Sequence, residues 1–103
     1  MLKGMSNIYK QAQKMQKDML KVQNELLELK IEGQSGGGMV KIVVNGKKDP
    51  ISIDIDEKVL KEDKDMIEDL ILAAINKAMD SADKISKDKM ASLTGGLNMP
   101  GLF

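Results

Sequence analysis

The sequence predicts an α+β domain of order α–β–β–β–α: a long N-terminal helix, a three-stranded antiparallel sheet with an Asn-Gly hairpin, and a long C-terminal helix. Apolar residues recur at heptad spacing from Met5 to Leu29. The period falls to two after residue 27, and a broad apolar face at helical spacing returns from Met66 to Ile85. Residues 1–93 form a single domain on this reading, and residues 94–103 form a Gly/Pro-containing tail.

The first helix carries the clearest pattern. Met5, Ile8, Ala12, Met15, Met19, Val22, Leu26 and Leu29 are separated by alternating steps of three and four, the a/d repeat of a helix that packs on another helix. No Pro or Gly interrupts residues 5–28, and Lys, Gln, Met and Leu dominate. Leu27, Leu29 and Ile31 then alternate with Glu28, Lys30 and Glu32, which predicts a short strand. Gly33 to Gly38 reads as a glycine-rich loop.

Met39 to Val44 is a strand by its β-branched content. Asn45-Gly46 signals a hairpin, and Lys48 to Asp56 returns with Ile51, Ile53 and Ile55 alternating with polar residues. Pro50 cannot donate a ladder hydrogen bond and belongs beside an edge or a bulge. A short helical turn follows near Asp56–Leu60. The second helix should start at Asp63 or Asp65, where a carboxylate meets the positive end of the helix dipole, and end between Met90 and Thr94. The tail after it is expected to be mobile unless a partner holds it.

Composition narrows the chemistry. The 103 residues include no His and no Cys, which removes imidazole catalysis, thiol chemistry and the commonest metal ligands. Gly36-Gly37-Gly38 is not followed by the Gly-Lys-Ser/Thr of a phosphate loop. The carboxylates around Asp54–Asp65 lack an EF-hand's ligand at Lys58 and its glycine at Val59. No enzyme activity, metal, cofactor or small-molecule substrate is expected. The absence of cysteine fits a reducing cytoplasm, and no apolar run approaches the ~18 residues of a membrane span.

All sixteen cations are lysine, balanced by sixteen carboxylates to a formal net charge of zero. That zero is unevenly spread. Lys3, Lys10, Lys14, Lys17 and Lys21 face only Asp18 in the first 24 residues, whereas residues 51–69 hold eight carboxylates against three lysines. The N-terminal lysines fall at c and f positions, opposite the a/d seam. Such a stripe suits phosphates, which require only cationic donors, while the lack of arginine leaves little means for reading guanine. The expected contacts to double-stranded DNA are Lys3, Lys10, Lys14, Lys17 and Lys21, with Lys84, Lys87 and Lys89 as secondary contacts. The seam itself, Met5, Ile8, Ala12, Met15, Met19, Val22 and Leu26, is the expected homodimer interface, against the simpler alternative of a hairpin between the two helices.

Gln11-Ala12-Gln13-Lys14-Met15-Gln16-Lys17, Gly33-x-Ser35-Gly36-Gly37-Gly38-x-Val40, Asn45-Gly46, Met66-x-x-Asp69-Leu70-x-x-x-Ala74-x-Asn76-x-Ala78 and the tail Gly95-Gly96-Leu97-Asn98-Met99-Pro100-Gly101-Leu102-Phe103 together resemble the YbaB/EbfC nucleoid-associated proteins of bacteria. The resemblance covers essentially the whole chain. It implies a tweezer-like homodimer in the cytoplasm and nucleoid. Such a dimer binds duplex DNA through protruding helices, alters its conformation, and serves nucleoid organisation, gene regulation and DNA protection. The rival reading is a chaperone-like coiled-coil subunit without nucleic acid, of the prefoldin type. Such subunits need longer heptad arrays on both helices than the Ala-rich second helix supplies.

Overall fold

A computed structural model describes residues 2–93, with side chains from residue 5 onward; the predicted tail, residues 94–103, lies outside the described residues. The elements are α1 (Leu2–Glu28), β1 (Ile31–Ser35), β2 (Val40–Val44), β3 (Pro50–Ile55) and α2 (Lys64–Leu93), with short 3-10 turns at Gly36–Gly38 and Glu57–Lys61. The strands pair antiparallel in the order β1-β2-β3. This is the predicted α–β–β–β–α architecture. Asp63 caps α2 by accepting the Met66 amide at 2.8 Å.

The first strand departs from the sequence pattern. Leu27 and Glu28 complete α1, and β1 runs from Ile31 through Gly33 to Ser35 instead of stopping before the glycines. The reason is a close approach. A Cβ built on Gly33 would stand 2.3 Å from the Ala74 carbonyl oxygen and 2.3 Å from the Ala78 nitrogen of α2. Glycine therefore occupies an inward strand position because the helix backbone lies where a side chain would go. The next three glycines do form a turn, all at positive φ.

The hairpin is also not the two-residue turn that Asn-Gly usually makes. Asn45 Oδ1 accepts the amides of Lys47 (2.9 Å) and Asp49 (3.0 Å), while its Nδ2 donates to Asp49 Oδ2 at 3.0 Å. These bonds close a five-residue loop in which Lys48, at φ 70, takes the left-handed conformation. Gly46 instead lies under α1: its amide donates to the Leu26 carbonyl at 2.7 Å, and a Cβ there would meet Leu26 Cδ2 at 2.7 Å.

Ile31, Val40, Ile42 and Val44 on the inner face of the sheet pack with Val59 and with Ala74, Ala78 and Ala82 of α2. Alanines four residues apart form one smooth stripe, which lets the helix settle close to the strands. That stripe lies beneath β1 and β2 and scarcely reaches β3. Ile53 pairs across from Ile42 on the same inner face, yet it is 53% exposed because no helix covers that edge. A register shift opposite Val43 and Val44 accommodates Pro50, as its missing donor requires.

Candidate nucleic-acid interface

The two helices pair antiparallel only over the second half of α1. Lys89 Nζ contacts Glu25 Oε2 at 3.5 Å, and Asp18, Lys21 and Val22 flank Ser92 and Leu93. Since α2 is described only as far as Leu93, residues 5–17 of α1 project past the described part of the body, and every one of their side chains is exposed. The molecule measures 72 × 23 × 17 Å, an elongated shape set by this arm.

Lys10, Lys14, Lys17 and Lys21 are exposed along the arm, and among the described residues no carboxylate lies in ion-pair range of any of them. Positions seven apart, such as Lys10 and Lys17, are separated by about 10 Å along one helix face. Lys3 belongs to the first turn of α1, but its side chain lies outside the described residues.

The lysines of α2 are placed differently. Lys87 pairs with Asp83 at 3.0 Å, Asp83 also holds Lys48 at 3.0 Å, and Lys89 holds Glu25. The Lys87 ammonium, and after it that of Lys48, keep the Asp83 carboxyl below the ordinary carboxylate range. Lys84 is exposed. These three lysines stand at the root of the arm, and two of them serve first to fasten helix to helix or to neutralise Asp83. One cation was missed by sequence reasoning. Lys47, on the hairpin loop, is carried to the arm's root by the Gly46–Leu26 contact and borders a hollow with Gln23, Ser86 and Lys87. Its only sequence signal was a second lysine pair-mate immediately after Asn-Gly.

The seam divides in the same way as the helix. Leu26 is 3% exposed and packed within its own chain against Gly46. Met19 and Val22 are half-covered beside α2, while Met5 and Ile8 are 70% and 68% exposed and Ala12 and Met15 are also exposed. The helix hairpin thus accounts for the inner half of the heptad pattern.

At the far end of the body lie Asp54, Asp56, Glu57, Glu62, Asp63 and Asp65, near the start of α2 and the end of β3. Ser35 Oγ donating to the Leu70 carbonyl fixes that end of α2 against β1, remote from the arm. The uneven charge of the sequence becomes a basic end and an acidic end. Among the described residues no cluster of His, Cys, Asp and Glu could hold a metal ion, and no helix is long and apolar enough to cross a membrane.

The sequence profile of the YbaB/EbfC DNA-binding family matches residues 1–97. The chain belongs to that family. It is 49% identical over 101 residues to nucleoid-associated protein TTE0040 of Caldanaerobacter subterraneus subsp. tengcongensis, covering 97% of this chain and 91% of that protein. It is equally 49% identical to a nucleoid-associated protein of Alkaliphilus metalliredigens, covering 97% and 89%. The fold matches that of the uncharacterized protein HP0035 from Helicobacter pylori with a TM-score of 0.79, over 87% of this chain and 96% of that one, at 22% identity. DNA is therefore the partner against which the YbaB/EbfC arm has to be understood.

Proposed function

We propose that this YbaB/EbfC protein binds duplex DNA as a homodimer with little sequence preference, through the projecting lysines, and alters the path of the duplex. The observation that carries this reading is the row Lys10, Lys14, Lys17 and Lys21, which no carboxylate among the described residues pairs and which a rigid helix holds away from the acidic end. Phosphate contacts of this kind position a protein without reading bases. With no arginine in the chain, the bidentate contact to guanine that dominates direct readout is missing. Lys47 extends the same surface, Lys3 in the first turn of α1 is a further contact on this reading, and Lys84, Lys87 and Lys89 contribute at its root.

The dimer closes through the uncovered edge of the sheet. Among the described residues β3 has no outer neighbour, and Ile51 and Ile53 form with Ile75 and Met79 of α2 an apolar groove of about 350 Å³. A second copy placed there by a twofold axis covers both grooves at once and leaves both arms projecting. The naming of its relatives as nucleoid-associated supports a place in the cytoplasmic nucleoid, with roles in its organisation, in gene regulation and in DNA protection.

Gel shifts with random-sequence duplex test the reading. Binding at about micromolar protein that weakens steeply with salt is expected. No shift at about 50 mM salt, or one unaffected by converting Lys10, Lys14 and Lys17 to Gln, would overturn it. Ile53→Lys should halve the mass in solution.

A further inference from the structure

The exposed half of the seam is left over once Leu26 is packed internally and the dimer is closed at β3. We infer that it is a docking surface for the arm of a second copy, so that dimers join arm to arm. Met5, Ile8, Tyr9 and Ala12 line an apolar hollow on the arm's surface. Their positions, i, i+3, i+4 and i+7, are those of the four residues that form the hole of a knobs-into-holes contact. A partner of the same sequence brings knobs at the same spacing.

The charges make a like-charged partner acceptable. In the heptad register with Met5 and Ala12 at a, the flanking e and g positions of the exposed stretch are Tyr9, Gln11 and Gln16, all uncharged. The lysines sit at c and f, on the outer side. Two arms can therefore meet along a/d with no lysine at the contact, and Ala12 at its centre lets the backbones approach. The joined arms would carry their lysine rows on opposite outer faces, each turned to a different duplex. The pairing does not need DNA, whereas the bridging of two duplexes rests on the function proposed above.

The chain has no native cysteine, so one introduced thiol reports the contact cleanly. Position 12 is an a position inside the exposed run from Met5 to Met15, and in the parallel pairing of two arms it stands opposite its own counterpart. Under mild oxidation Ala12→Cys should form covalent dimers at least about fivefold faster than Gln13→Cys, whose thiol points outward. The same preference should persist in an Ile53→Lys background, where the β3 face is closed to a partner. Equal rates for the two cysteine variants would overturn the inference. In a second experiment wild-type protein should draw free duplex onto bead-tethered duplex, and Ile8→Gln/Met15→Gln should lose that capture while shifting duplex on gels as the wild type does. Capture unchanged in this variant would also overturn the inference. Preferential cross-linking of Ala12→Cys alongside a wild type that shifts no duplex sustains the arm contact and sinks the DNA reading alone.

Discussion

Gly33 and Ala78 lie in direct backbone contact, the nitrogen of the alanine only 2.3 Å from where a Cβ on the glycine would stand. The obstructing atoms belong to a helix backbone and cannot swing aside as the end of a side chain could. Gly33→Ala should therefore cost about 3 kcal/mol or more in urea unfolding, the upper part of the range for overpacking. A loss below about 1 kcal/mol would show that α2 can shift outward.

Asn45 organises its loop with one side chain, accepting two amides and donating to Asp49 while itself buried. Asn45→Ala leaves those amides without their acceptor and should cost about 2 kcal/mol. Lys48→Gly should run the other way, relieving the left-handed backbone by about 1 kcal/mol. It also removes the exposed pair with Asp83, so the net gain read by thermal unfolding should be small but positive.

Asp83 titrates below its ordinary range because Lys87 and Lys48 favour its charged form. A depressed folded value means that the carboxylate stabilises the fold above about pH 4, and that this support disappears as pH falls through the lower folded value. Asp83→Asn should accordingly lower Tm slightly at pH 7 and converge with the wild type in stronger acid. High salt should shrink the difference at pH 7, since the group is exposed. A difference that persists unchanged at about pH 2 would mean the substitution acts through packing instead.

The lysine row can be counted by salt dependence. Each phosphate neutralised on duplex DNA adds about 0.9 to the slope of log K against log salt. Replacing Lys10, Lys14 and Lys17 by Gln should flatten that slope by about 2.7 for each arm that engages the duplex, while Lys87→Gln, whose charge is shared with Asp83, should flatten it by less per lysine. Equal effects per lysine would place the root of the arm on the same footing as its shaft.

The order of elements and both helices were legible because periodicity is written over many residues, and no tertiary contact contradicts it. The errors cluster at glycines. Gly33 and Gly46 read as punctuation, but each serves a close approach by a helix, Gly33 to the α2 backbone and Gly46 to Leu26. A single sequence cannot distinguish a glycine needed for its backbone freedom from one needed for its missing side chain. The lysine stripe was legible from spacing alone. Its separation from Lys87 and Lys89 was not, because their partners Asp83 and Glu25 come from pairings that depend on where α2 meets α1. Likewise the heptad pattern runs unbroken past Met15, while only its second half lies beside α2.

The contact of Leu26 with Gly46 acts as a fulcrum. From Leu26 to Met5 the helix runs about 31 Å without a glycine or proline to bend it, so an angular change at the base arrives undiminished at the tip. A tilt of about 10° there moves the tip by about 5 Å, the length of one helical turn. In the proposed homodimer, the span between two arms is governed less by the lysines of the row than by one glycine in the hairpin loop.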